Sequence, residues 1–348
     1  MPPTIVNINM DNLGIIKALL NLAPVLIFLL MLVWMDSFKL VKYKDVLLAI
    51  VWGAIIAFIC IFLNSWIVVL LSFKIITYSR YIAPIIEELP KAVLLVFLIK
   101  KKRIGFMVDG AILGFAIGAG FALIENSYQM QAIESANIYM WLVRGFGTAV
   151  MHGCCTAIMG IISMNLVERK RRDHITFMIP GILLAILLHS LFNHFILPPV
   201  YLTLTILIIL PLIVYIVYEL SEKSTRQWLG AGFDSDTQLL GIIVTGNIQE
   251  SKVGSYFNSL TTFFTGEVMA DMLCYLRLYL ELSIGAKGVL LLRKEGVPVP
   301  EDPEIKDKFA ELRYLEKSIG TTGLIALAPF IHTSDKDLWQ LYMLRHTY

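Results

Sequence analysis

Charged side chains are scarce in this chain of 348 residues, at 16% against about 25% in an ordinary soluble domain. With 57% hydrophobic residues and a mean hydropathy of +0.73, that shortfall excludes a disordered chain, a fibrous one and an ordinary cytosolic enzyme. Cysteine is rare too. Cys60, Cys154, Cys155 and Cys274 show neither a disulfide framework nor a zinc-type spacing, and they read as small core residues. The formal charge of +2 gives no reason to expect a nucleic-acid partner. No Lys or Arg precedes Lys17 and no small-residue cleavage site follows, so the first apolar stretch is expected to be a span and not a signal peptide. There is no internal repeat and no low-complexity segment.

What the chain has in quantity is apolar stretches long enough to cross a bilayer, for which about 20 helical residues suffice. Seven stand out, at residues 13–35, 46–64, 81–99, 105–124, 139–167, 175–196 and 199–219. Trp66 to Ile76 is apolar but short; the sequence leaves open whether it extends the second stretch or lies at the interface. Loop charges set the expected topology. Lys39, Lys42 and Lys44, then Lys100 to Arg103, then Arg169 to Arg172 give three alternate loops 11 of the 16 Lys and Arg in residues 1–220. Those loops are expected to be cytoplasmic, with the N-terminus outside and the C-terminus inside.

Beyond residue 221 the composition changes. Residues 222–348 hold 13 Lys and Arg and 16 Asp and Glu, with no further apolar run of 18. Asp302 to Gly320 reads as an amphipathic helix ending at a glycine, and Ser334-Asp335-Lys336-Asp337 as an N-cap before Leu338 to Leu344. The expected fold is all-α. A polytopic membrane bundle of about seven transmembrane helices occupies residues 1–220, and a mostly helical cytoplasmic domain occupies 221–348. The default role of that domain is binding a cytoplasmic partner or regulation.

Ionisable groups inside spans carry the functional signal, since each costs about 2.5–3.5 kcal/mol at mid-helix and tends to face a cavity. The third stretch holds Glu87, Glu88 and Lys91. Glu87 and Lys91 stand at i and i+4 in the favourable order, so they are expected to pair. Pro90 lacks an N–H, freeing the carbonyl of Ile86, and should kink the helix. Adjacent carboxylates in a low dielectric resist ionising together, and a carboxyl that exchanges a proton near neutral pH suits general acid–base work. An ion pair that only fixes helix packing is the structural alternative. The fourth stretch carries Gly114 and Gly118, a small-xxx-small face, and Glu125 and Asn126 at its outer end, where solvated polar residues are also ordinary. His152 lies in the fifth stretch; His189 lies in the sixth, with Asn193 one turn on.

At 1.5 Å per residue, Glu87, His189 and His152 all fall roughly 20–24 Å from the cytoplasmic face, with Glu125 slightly beyond. One shared site in the outward half is therefore expected. Glu87 or Glu88 would be the base that activates water. His189 and His152 would orient it or stabilise an oxyanion, and Asn193 would hold His189 or donate to the oxyanion. No His-Glu-x-x-His run is present and the ligands would come from different helices, so no metal and no other cofactor is expected. A non-catalytic membrane scaffold and a proton-relay transporter are the alternatives from other classes; no half-span repeat favours a transporter.

These residues resemble the PrsW family of glutamic-type intramembrane proteases. Glu87-Glu88-Leu89-Pro90-Lys91 is similar to its EExxK motif. Asp109-Gly110 through Phe121-Ala122-Leu123-Ile124-Glu125-Asn126 resembles its glycine-rich stretch ending in FAxxEN. His152 resembles its next-motif histidine, and Leu188-His189 to Asn193 its LHxxW(N/D) motif, with Phe192 where tryptophan is usual. The resemblance covers about residues 80–196. It implies hydrolysis of a peptide bond in a membrane-anchored protein within the bilayer, with Glu87, Glu88, Glu125, His152 and His189 catalytic. Lys91, Asn126, Asn193 and Phe121 would support the site. A membrane-anchored anti-sigma factor is among the family's substrates. Residues 222–348 lie outside the resemblance.

Overall fold

The computed structural model describes residues 10–36, 41–132, 138–170, 174–246, 248–300, 302–331, 340–341 and 343–345. Lys39, Arg171, Arg172 and the expected cap at Ser334 to Asp337 lie outside these. Among the described residues every regular element is helical and none is a strand. The chain divides into two compact units, Met1–Ser221 and Glu222–Tyr348.

The first unit contains α1 (Met10–Met35), α2 (Tyr43–Leu70), α3 (Ala83–Lys100), α4 (Met107–Ala132), α5 (Ala149–Lys170), α6 (Ile179–Asn193) and the start of α7 (Pro199–Val244). A π-helical turn, Tyr78–Ile82, leads into α3, and another, Val143–Thr148, leads into α5. Four helical stretches are long and apolar enough to cross a membrane: Tyr43–Leu70, Met107–Gln129, Met140–Glu168 and Ile175–Asn193. Leu19–Met35 and Pro199–Ile209 are apolar but shorter. The apolar residues after Trp66 continue α2 only as far as Leu70. α4 runs on to Ala132, so Glu125 and Asn126 sit inside a helix and not at its solvated end, as the apolar run alone had suggested.

Side-chain size sorts the faces. α2 buries Ala49, Gly53, Ala57 and Cys60 and exposes Leu47, Phe58, Phe62 and Trp66. Small residues inward and large apolar ones outward is how helices pack when lipid, not water, covers the outside. α4 is the central helix, and its glycines bring neighbours to backbone contact. A Cβ placed on Gly114 would lie 2.4 Å from the carbonyl oxygen of Thr156, and one on Gly118 would lie 2.2 Å from that of His152, both on α5. On the opposite side Gly120 meets Ile50 of α2 just as closely, at 2.0 Å.

In the second unit, α8 (Lys252–Leu260) and α9 (Gly266–Lys294) start at Ser251 and Thr265, whose side chains cap them. α10 (Ile305–Leu327) departs from helical geometry at Gly320, where φ is +63°. The amphipathic helix thus stops at the glycine as expected, and about two further turns follow it, to Leu327. Asp236 and Lys287 pair at 2.6 Å in the interior of this unit.

Candidate active site

Two prolines set the orientation of α3. Pro84 has no N–H to give back to the π-helical turn before it, and two carbonyls of that turn are bonded from α6: Ser190 Oγ donates to Arg80 O at 2.6 Å and Asn193 Nδ2 to Ser79 O at 2.9 Å. Pro90 frees the carbonyl of Ile86, and the Cys60 thiol of α2 lies 3.6 Å from it. The helix runs on through Pro90. With these three carbonyls held by two other helices, α3 turns Glu87, Glu88 and Lys91 inward.

The expected Glu87–Lys91 pair does not form. Lys91 Nζ donates to Glu88 Oε1 at 2.7 Å, an i, i+3 contact, and to His152 Nδ1 at 3.0 Å. It also lies 3.7 Å from the centroid of the Phe121 ring. The reason is competition. The ammonium reaches both His152 and the Phe121 face on the Glu88 side, while Glu87 is held from α2 by Asn64 Nδ2, 3.0 Å from Oε1. Glu88 and Lys91 are wholly buried.

The two imidazoles, 4.8 Å apart and perpendicular, are held in opposite senses. Lysine carries no acceptor, so His152 Nδ1 accepts and its Nε2–H donates to Glu125 Oε2 at 2.7 Å. His189 Nδ1 lies 2.9 Å from Glu88 Oε1 and donates to that carboxylate. Its Nε2 is left facing Glu87 Oε2 at 3.9 Å, beyond direct hydrogen-bond distance. Arg144, in the second π-helical turn, reaches Glu125 Oε1 at 3.5 Å and Asn126 Oδ1 at 3.1 Å. Asn126 and Asn21 of α1 also bond reciprocally, the side-chain amide of each donating to the backbone carbonyl of the other.

Glu87, Glu125, His152 and His189 line one cavity of about 580 Å³, together with Asn64, Tyr78, Phe121 and Arg144. Glu88 is not on its wall; it stands behind His189. All five sequence-selected acids and histidines are therefore brought together, but in two layers. Asn193 lines the cavity too, with its amide given to Ser79 and not to His189. The sequence reading missed Asn64, Tyr78 and Arg144. Arg144 was open to the same rule as the glutamates, a charge within an apolar stretch. Asn64 was a lone amide in another, and Tyr78 followed the stretch left undecided.

Buried carboxylates and imidazoles gathered from four helices around a cavity, in a bundle whose outer surface is apolar, define a membrane-embedded Glu/His site. The chain belongs to the PrsW family: the family model described as PrsW family intramembrane metalloprotease matches residues 43–218, just over half of the sequence. It is thus a multi-pass membrane protein of an intramembrane protease family. No curated protein and no solved structure matches it.

The family description names a metal, where the sequence reading expected none. The donor chemistry fits one. Glu87, His152 and His189 each offer a ligand atom, all within 4.8 Å of one another, and two imidazoles with one carboxylate form a donor set used by catalytic zinc. His189 also meets the usual outer requirement, its other nitrogen being held by the Glu88 carboxylate. His152 has both nitrogens engaged, by Lys91 and Glu125, and would serve as a ligand by releasing one of them.

Proposed function

We propose that this chain is an endopeptidase that cuts a membrane-anchored protein in the cavity between Glu87, Glu125, His152 and His189. The observation that supports it is that groups costly to place in a bilayer come from four helices and line a single cavity. In this reading a water molecule bridges Glu87 Oε2 and His189 Nε2. Glu87 takes a proton from it as the oxygen attacks the scissile carbonyl carbon. The Arg144 guanidinium, on the wall of the same cavity, is the donor that would stabilise the developing oxyanion, while Glu125 holds the His152 Nε2–H. Glu87 then returns its proton to the amide nitrogen as the C–N bond breaks, giving a carboxylic acid, which keeps the second hydrogen of the water, and an amine. Glu88 keeps His189 in the tautomer that leaves Nε2 open, and Lys91 does the same for His152 in the opposite sense. A divalent ion held by Glu87, His152 and His189 would add Lewis-acid polarisation of the carbonyl.

The same reading gives the first unit seven spans with the N-terminus outside. Residues 222–348 form a separate cytoplasmic domain that binds a partner. A membrane-anchored anti-sigma factor is the substrate to try first. The test is cleavage of single-span substrates, that one among them, by purified protein in proteoliposomes. Wild type is expected to cut, and Glu87→Gln and His189→Ala to fold but not cut. Cleavage that survives both changes would refute the site, and a folded wild type that binds substrates without cutting would favour a scaffold. A reporter placing Ser221 outside would overturn the topology.

A further inference from the structure

We infer that Asn64, backed by Tyr78, is a positioning residue that fixes which oxygen of Glu87 faces the reacting atoms; this rests on the role proposed for Glu87. Asn64 belongs to α2, outside the stretch that carries the recognisable motifs. Its Nδ2 donates to Glu87 Oε1 at 3.0 Å. A side-chain amide can be set either way round, and reversed it would press a carbonyl oxygen against a carboxylate. The Tyr78 hydroxyl reinforces the productive setting by donating to Asn64 Oδ1 at 2.7 Å. Tyr78 is itself buried, with 4% exposure, so the donor behind Asn64 is fixed in place.

The consequence falls on Glu87. With Oε1 committed to Asn64, Oε2 is the oxygen left toward His189 Nε2. A glutamate side chain without that bond would spread over its rotamers and exchange its two oxygens. The placement is also linked to the histidine. Tyr78 opens the π-helical turn whose carbonyls at Ser79 and Arg80 bind Asn193 and Ser190, on the helix that carries His189. One turn of chain thus sets the position of both groups that would hold the water.

The test uses the full chain in proteoliposomes with a single-span substrate labelled on both sides of the span. Asn64→Leu, close in size but without a donor, is expected to lower kcat about ten- to a hundredfold, the usual effect of losing a hydrogen bond to a charged group. KM should stay within about twofold, because the bond acts on the reacting group and not on substrate binding. Asn64→Gln keeps an amide and should recover kcat to within about fivefold of wild type, and Tyr78→Phe should fall between the two. Thermal unfolding is followed in parallel. A kcat in Asn64→Leu equal to wild type, while Glu87→Gln is inactive, overturns the inference and leaves the site reading standing. A loss that tracks a lowered unfolding temperature and is not recovered by Asn64→Gln also overturns it. Glu87→Gln cleaving like wild type overturns both.

Discussion

The Lys91 ammonium lies 3.0 Å from Nδ1 of His152, and that contact decides which imidazole nitrogen bears the proton. The same ammonium neutralises Glu88, whose carboxylate holds His189. One cation thus sets the state of both histidines, one directly and one through a carboxylate. Breaking such a buried pair from one side costs about 3–5 kcal/mol, whereas removing both charges together costs far less. Lys91→Met should therefore be strongly destabilised in thermal or denaturant unfolding in detergent. The double variant Glu88→Gln/Lys91→Met should recover much of the loss. A double variant whose loss equals the sum of the losses in Lys91→Met and Glu88→Gln would show that the pair is not coupled.

Glycine at position 118 lets α4 and α5 touch. Alanine there would place a methyl 2.2 Å from the His152 carbonyl oxygen and push away the helix that carries the histidine. Gly118→Ala should cost about 1–3 kcal/mol, the usual range for overpacking, and should also reduce cleavage. Gly288→Ala is the control. That glycine lies within α9, where an added methyl meets nothing within 4 Å, so the change should stabilise by about 0.5–1 kcal/mol. Comparison of unfolding midpoints checks both.

Arg144 bridges Glu125 and Asn126 through a single guanidinium nitrogen. Arg144→Lys keeps the charge but loses the planar fork. It should lower kcat less than Arg144→Ala does, and Arg144→Ala should lose about tenfold, as for a hydrogen bond to a charged group. Steady-state cleavage by the two variants is the measurement. An alanine variant as active as wild type would remove Arg144 from the site.

The Glu87, His152 and His189 donors predict stoichiometric binding of a divalent ion. Metal analysis after equilibrium dialysis against Zn²⁺ should find one ion per wild-type chain and none in Glu87→Gln or His189→Ala. Glu88→Gln, which alters the outer partner of His189 and also removes the counter-charge of Lys91 behind His152, should weaken binding about ten- to a hundredfold. Full cleavage after exhaustive chelation would instead support a route through the carboxylate and imidazole alone.

Much of this was legible in the sequence because a bilayer penalises polar atoms so heavily. Glu87, Glu88, Glu125, His152 and His189 stood out against apolar runs, and loop charges placed them at similar depths. What one dimension could not give is rotation about a helix axis. Spacing along α3 allowed Lys91 to pair with either acid, and the choice fell to His152 and Phe121 on other helices. The same limit hid the split between a cavity-facing Glu87 and a Glu88 behind it. Asn64 and Tyr78 were missed because an amide and a phenol are cheap enough to be unremarkable in a span; their meaning comes from what they touch.

Three carbonyls of the segment Ser79–Ile86 accept from side chains of other helices, those of Asn193, Ser190 and Cys60. Spinning this segment about its axis would forfeit all three bonds at once. Whatever movement admits a polypeptide must shift this rod without rolling it. The bonds therefore oppose any exchange of place between the two neighbouring acids and hold the front one in front.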